Sequence, residues 1–294
     1  MNLRDLRYFV ILAETKHFGE AAKQCFVSQP TLSMQIKKLE DDLGVALFER
    51  TNKQVFLTDH GQALLPTAKK ILLLVNELKE SAYFLNDPFA GALHLGAIPT
   101  IAPYLLPLIM PALKQHFPQL KIWLVEEQTN NLINKLEEGE LDAAIMADPV
   151  TDNFSRQFLF EEVFYFACAK AHSLAKRKTI STNDLIGEQL LLLQEGHCLR
   201  DQAMAVCHMA KANDIADFSA TSLETLRLMV QSGMGVTLLP ALSVLTHTTD
   251  LLRYIPFEEP APSRTLSLFW RNSSPKRQCL HAIAELVRTS IAIK

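Results

Sequence analysis

The chain has 294 residues, 48% of them hydrophobic and 21% charged, with a net charge of −3. That length and apolar content suit two domains, or three small ones, with real cores. The near balance of charge excludes binding of nucleic acid or membrane through bulk electrostatics alone. The opening MNLRDLRYFVILAE is interrupted by Arg4, Asp5 and Arg7, which does not fit a secretory leader. The longest aliphatic run, Ile71 to Val75, is far too short to span a bilayer. Five cysteines, an odd number whose spacings match no zinc pattern, point to a cytoplasmic protein without metal or cofactor.

Residues 1–58 read as a small helical domain ending in a hairpin. Leu6, Phe9, Val10 and Ala13 form one helical stripe, and Phe18, Ala21, Ala22 and Cys25 a second. A third helix follows the turn Phe26-Val27-Ser28, with Ser28 as N-cap and Pro30 in the first turn. Its inward stripe is Leu32, Ile36, Leu39 and Leu43. Pro30, Met34, Lys37 and Asp41 face the other way, flanked by Thr31, Ser33 and Lys38. Two short helices, a tight turn and a helix exposing small polar and basic groups are what a helix-turn-helix needs to enter the major groove. The segment 48–57, with Arg50 and Lys53, would form a wing suited to phosphate contact. Basic and acidic residues are equal in number over residues 1–60, so only the placement of charge could favour DNA. Periodicity by itself also fits a helical cap domain with no ligand.

FGEAAKQCFVSQPTLSMQIKKLEDDLGVALFER, residues 18–50, resembles the winged helix-turn-helix of LysR-type transcriptional regulators. The match runs through Ala21-Ala22, Ser28-Gln29-Pro30, Leu32-Ser33, Ile36, Leu39-Glu40, Leu43-Gly44 and Leu47 to Arg50. The resemblance implies that Gln29, Pro30, Thr31, Ser33, Gln35 and Arg50 sit at double-stranded promoter DNA, with Ser28 and Lys37 beside them. Met34 stands where the family often has a polar residue, and there it could touch a thymine methyl.

A long helix is expected from about residue 59 to 86. Leu64, Ala68, Ile71, Val75, Leu78, Ala82 and Leu85 alternate steps of four and three, the 3.5 period of a coiled-coil seam. A helix packed on its own domain is the alternative. The resemblance implies a dimerisation helix, with a tetramer as the family's larger assembly. Asp87-Pro88 and Gly91 read as a hinge, which divides the chain into 1–58, 59–90 and 91–294.

From Ala92 onward strand-like and helical patterns alternate. Strands are expected at 93–98, 122–125, 143–146, 164–169, 189–193, 236–239 and 266–270, and helices at 103–117, 131–138, 199–211 and 223–232. This argues α/β sheets covered by helices, within an α+β multidomain chain. The resemblance implies a two-lobed effector domain like periplasmic solute-binding proteins. Lobe I would span about 91–161 and 268–294, and lobe II about 162–267, with crossings near 162 and 267.

The stretch GHCLRDQAMAVC, residues 196–207, places Cys198 at or just ahead of the first turn of a helix. There, free backbone N–H groups and the helix dipole favour a thiolate, as would His197 and Arg200 if charged and close. Nine helical residues on, Cys207 is about 13.5 Å away on the opposite face, whereas a disulfide needs Cα atoms within about 7 Å. The two thiols therefore bond only if the helix comes apart. The spacing also fits two unrelated cysteines, one of them buried.

Within the LysR family this stretch resembles the peroxide-sensing OxyR branch, as do AIPTIAPYLLP (97–107), SATSLETLRLMV (219–230) and GVTLLPAL (235–242). The resemblance implies that Cys198 is the peroxidatic cysteine and Cys207 the resolving one, and that Thr100, Thr129, His197 and Arg264 surround a peroxide pocket. Peroxide cleavage asks for donors on the leaving oxygen, which Arg264 and the threonines supply and Arg200 could assist. Asp201 would orient Arg264 or His197, or merely cap the helix. Implied partners are hydrogen peroxide as signal, RNA polymerase, and a glutaredoxin- or thioredoxin-type thiol reductant. The protein would be a regulator of oxidative-stress genes and not an enzyme. A regulator of a small-molecule inducer, a thiol peroxidase and a solute-binding module are the rival readings. Cys25 is expected in a core, and neither Cys168 nor Cys279 is given a redox role.

Overall fold

The computed structural model describes residues 1–50, 55–84, 87–150, 153–210, 213–245 and 251–292, without the side chains of 50, 83, 207–210, 213–217 and 292. Two compact units emerge, Met1–Leu85 and Asn86–Lys294. In the first, α1 (Leu3–Thr15) opens on a capping box: Asn2 Oδ1 accepts from the Asp5 N–H at 3.1 Å, and the Asn2 N–H donates to Asp5 Oδ2 at 2.9 Å. After α2 (Phe18–Gln24) comes α3 (Gln29–Leu43), whose Thr31 N–H donates to Ser28 Oγ at 3.3 Å and which ends at Gly44 with φ +70°. Strands β1 (Phe48–Arg50) and β2 (Val55–Leu57) pair antiparallel as the wing. Glu40 Oε1 ties the wing base to α3 by accepting from the Leu47 and Phe48 N–H groups at 2.8 and 3.1 Å.

The long helix forms as α4 (Asp59–Phe84). Gly61 lies so close to the Leu47 carbonyl that a Cβ has no room. Three of the seven expected seam residues have an intramolecular use. Leu64, Ala68 and Ile71 pack with Leu6, Phe9, Leu12, Leu32, Ile36 and Leu39 in the core of the first unit. A domain this small buries little of its surface, and the fourth helix adds to its core. The first compact unit thus runs to residue 85, taking in the long helix as well as residues 1–58. Farther along α4, Val75 is half-buried, Leu78 is 71% exposed and Ala82 is exposed. Leu85 lies outside the described residues.

The second unit begins with β3 (Gly91–Ala97), α5 (Ala102–His116), β4 (Leu120–Glu126), α6 (Thr129–Glu138) and β5 (Ala143–Ala147). The three strands are parallel, with β3 between β4 and β5, so α5 and α6 are crossover helices. Next come β6 (Phe154–Ala169), β7 (Gln189–Leu193), α7 (Cys198–Ala210), β8 (Asn213–Ala220) and α8 (Leu223–Gln231). The chain closes with β9 (Thr237–Pro240), α9 (Ala241–Leu245), β10 (Leu252–Pro256), β11 (Ser263–Arg271) and α10 (Arg277–Ala292). The main sheet has the order β10-β6-β11-β5-β3-β4, with β9 also on β6.

Two cores give the two lobes. Leu95, Ile109, Ile145, Leu268 and Ile283 lie in lobe I, and Phe166, Leu191, Leu226, Leu239 and Ile255 in lobe II. Both lobes share β6: residues 154–163 pair with β11, and residues 164–169 lie between β9 and β10. The second crossing is not at 267. All of β11 pairs within lobe I and buries Leu266 there, whereas Phe257 belongs to lobe II, so the chain returns between 257 and 263. Strands β8 and β10 and the first half of β6 were not expected from sequence. No helix among the described residues is long and apolar enough to cross a membrane.

Candidate functional site

Cys198 is the first residue of α7 and sits where the lobes meet. The half-buried thiol packs on the lobe I core, while Leu199, Ala203 and Val206 of the same helix are in the lobe II core. Gly196 makes the preceding turn with φ +91°, and a Cβ there would stand 2.6 Å from Gln128 Oε1. Gln128 is the N-cap residue of α6 and Thr129 its first residue. Glycine is therefore required twice over, by conformation and by closeness. The starts of α6 and α7 face each other across the junction.

Arg264 of β11 anchors the site. Its Nε donates to Glu162 Oε2 at 2.8 Å and its Nη2 lies 2.7 Å from the same oxygen. Nη1 donates to Thr100 Oγ1 at 2.9 Å, and Nη2 to the Thr100 carbonyl at 3.1 Å. These contacts use four of the five guanidinium N–H donors, leaving one on Nη1. Because the Thr100 hydroxyl accepts from Arg264, its own hydrogen is available to another acceptor. Glu162 Oε1 accepts from the Leu242 N–H at 2.8 Å, so β6, β11, the approach to α5, and α9 are bolted together. Arg264, Glu162 and Thr100 are all buried.

The electrostatics of Cys198 are a contest. Burial pushes the thiol pKa above its ordinary value, and nearby Asp201 adds to that. The Arg264 charge, the Thr129 hydroxyl and the Leu199 backbone N–H pull it down. Burial is the largest influence, so the thiol pKa stands above its ordinary value. The helix start thus acts in the expected direction without prevailing. The Thr129 hydroxyl is buried and makes no hydrogen bond of full geometry, although it is near enough to favour the thiolate.

The remaining expected residues divide. His197 is buried, and burial lowers its pKa, which disfavours the charged ring expected beside the thiol. Arg200 Nη1 donates to the Leu193 carbonyl at 2.9 Å, which turns the side chain back onto β7; Arg264 is the cation at Cys198. Asp201 is exposed and does not orient Arg264, whose carboxylate partner is Glu162. Cys207 lies in α7, with its side chain outside the described residues. Sequence reading missed Glu162, Gln128 and Gln202. Gln202, one turn beyond Cys198, has a buried Oε1 without a hydrogen-bond partner. Among the described residues no group of three His, Cys, Asp or Glu side chains could hold a metal ion.

On the first unit, Ser28, Gln29, Pro30, Met34 and Lys37 are exposed, and Thr31, Ser33 and Gln35 half-buried. The Arg50 side chain and Lys53 lie outside the described residues. Cys25 is half-buried against the core of that unit, and Cys168 and Cys279 are buried.

A winged helix-turn-helix, a long helix and a two-lobed α/β unit with a thiol at the lobe junction define a ligand- or redox-responsive DNA-binding regulator. Residues 3–62 match the family "Bacterial regulatory helix-turn-helix protein, lysR family", and residues 86–292 match "LysR substrate binding domain". The chain belongs to the LysR family, in its OxyR branch. It is 48% identical over 290 residues to the "Hydrogen peroxide-inducible genes activator" of Pectobacterium carotovorum subsp. carotovorum, covering 98% of this chain and 96% of the relative. It is also 48% identical to the "DNA-binding transcriptional dual regulator OxyR" of Escherichia coli (strain K12), covering 98% and 95%. A solved structure of full-length OxyR from Pseudomonas aeruginosa, with a cysteine-to-aspartate substitution, is similar at TM-score 0.79 and 39% identity, covering 98% and 95%.

Proposed function

We propose that this transcriptional regulator senses hydrogen peroxide through Cys198 and converts the signal into a Cys198–Cys207 disulfide. The observation that carries this reading is the placement of Cys198 at the start of α7, beside Arg264 and Thr129, with Cys207 in the same helix. The near full-length likeness to peroxide-inducible activators supports it.

In the first step the Cys198 sulfur attacks one peroxide oxygen. An S–O bond forms, the O–O bond breaks, and the thiol proton ends on the departing oxygen to give water. Sulfur is oxidised by two electrons to a sulfenic acid as peroxide is reduced. The free Nη1 hydrogen of Arg264 and the Thr100 and Thr129 hydroxyls are suited to stabilise the departing oxygen. In the second step Cys207 displaces water from the sulfenic acid. Because an intact helix holds the two residues about 13.5 Å apart, α7 must unwind, taking Leu199, Ala203 and Val206 from the lobe II core. That repacking would alter how subunits of a dimer or tetramer present their α3 helices to promoter DNA, and so their contact with RNA polymerase. A thiol reductant of glutaredoxin or thioredoxin type would return both thiols by exchange. One oxidation per signal makes this a switch, not a turning-over peroxidase.

Intact-mass and thiol mapping after one equivalent of hydrogen peroxide, beside Cys198→Ser, tests the reading. The expected result is loss of two protons localised to Cys198–Cys207 and absent from the variant. Cysteines left unmodified would overturn it and direct attention to small-molecule inducers.

A further inference from the structure

Phe26 occupies the turn between α2 and α3 in a costly way. The Phe26 N–H donates to the Lys23 carbonyl at 3.1 Å and the Val27 N–H to the Ala22 carbonyl at 3.0 Å. This paired closure requires a left-handed residue at position 26 whatever its side chain. Phe26 has φ +56°, where Gly or Asn is accommodated with less strain. The other non-glycine residue with positive φ among the described residues, Lys16, carries a side chain at home in water. Phe26 does not: its ring is 93% exposed and gains no burial in its own domain.

Two peptide links separate Phe26 from Ser28, the N-cap of α3, a span of at most about 7.6 Å. Phe26 therefore adjoins, in the chain, the end of α3 that approaches base edges in a helix-turn-helix complex. Met34, 62% exposed, sits on the outward face of α3, opposite the buried Leu32, Ile36 and Leu39. Phe26 and Met34 are thus the most exposed large apolar side chains on the recognition elements of a DNA-binding family, ahead of Leu43 at the far end of α3. The apolar group that duplex DNA offers in the major groove is the thymine C5 methyl.

We propose that Phe26 is a specificity-determining DNA contact whose ring packs against a thymine methyl at the edge of the half-site. This rests on α3 being the recognition helix. The contact neutralises no phosphate, so it contributes affinity without contributing to the salt dependence of binding.

The test uses the full-length protein and an operator duplex enriched from a random-sequence pool by the wild type. Phe26→Asn should weaken binding by about four-fold or more, the factor expected for one methyl left uncovered. The slope of affinity against salt should not change, and the thermal midpoint should hold or rise because Asn suits the left-handed turn. Phe26→Tyr should stay within about two-fold of wild type, since it keeps the ring. Replacing thymines one at a time with deoxyuracil should reveal one position that weakens the wild type but not Phe26→Asn. Wild-type affinity in Phe26→Asn, with Gln29→Ala weakened, would overturn the proposal and leave α3 as the recognition helix. Deoxyuracil penalties equal in both proteins at every position would also overturn it. Full affinity in both Phe26→Asn and Gln29→Ala would show that the recognition-helix reading itself is wrong.

Discussion

Arg264 Nε and Glu162 Oε2 stand 2.8 Å apart with side-chain exposures of 0% and 2%, the least hydrated ion pair of the effector unit's thiol site. Glu162→Gln keeps the shape and can still accept from the Leu242 N–H, but it leaves the Arg264 charge uncompensated. Breaking a buried pair from one side costs about 3–5 kcal/mol, so the thermal midpoint should fall clearly. The Cys198 pKa should fall too, because the field of Arg264 is no longer cancelled. Alkylation by iodoacetamide across a pH series reads this. An unchanged midpoint and pH profile would show that the pair matters to neither stability nor thiol reactivity.

Gly196→Ala should act on the switch and not on the chemistry. The new methyl meets Gln128 Oε1 at 2.6 Å and must be held at φ +91°, a strain of about 1–3 kcal/mol. We expect faster amide exchange over residues 197–203 and faster disulfide formation after peroxide. Gln128→Ala in the same chain should restore part of the difference, a coupling that a double-mutant cycle measures. Strict additivity would mean that the two residues do not meet.

Stability should decline at both ends of the pH scale for identifiable reasons. Burial pushes the Cys168 and Cys279 thiols up to about 11. An unfolded thiol releases its proton near pH 8.5, so the stability these groups contribute is intact below that pH and is lost as pH rises toward 11. For His197 the sign reverses. Burial lowers its pKa, so its contribution is present above about pH 6.5 and is lost as pH falls through the depressed value. Urea midpoints across pH should show a shallower alkaline decline in Cys279→Ala and a shallower acid decline in His197→Asn. Curves parallel to wild type would refute both assignments.

The two halves of α4 should respond differently to the same kind of substitution. Leu78→Glu, at an exposed position, should lower the mass seen by sedimentation and leave the helical circular dichroism of the monomer intact. Leu64→Glu places a charge against the core of the first unit and should unfold that domain. If Leu78→Glu kept the wild-type mass, the outer half of α4 would not be the dimer contact.

Much of this was legible from residue pattern, and the exceptions have physical causes. The cap at Ser28 and the stripes of α1 to α3 mark a helical domain directly, since local geometry dictates them. Cys198 at a helix start was equally plain. Glu162 escaped notice because the run LFEEVF reads as a polar edge, although period two puts Glu162 on the same face as Phe164 and Phe166. Its buried partner is 102 residues away in sequence, and no local pattern reports that. At Cys198 the pattern reveals the helix terminus, which does pull the thiol pKa down, but not the burial that pushes it up. Strand β8, with Asp214 and Asp217 in NDIADFSA, looks like a turn until its pairing with β7 is known.

β6 runs unbroken for 16 residues through both lobes, held by β11 on one stretch and by β9 and β10 on the next. Such a strand is a girder. Lobes joined by it are coupled through one continuous hydrogen-bonded strand, which opposes their opening and shutting as independent jaws. A signal arriving there must be written as a change in which surface is shown, at α7, and not as a change in how far apart the lobes stand. The effector unit is built to register a chemical event at one atom, and its own framework need not move to do so.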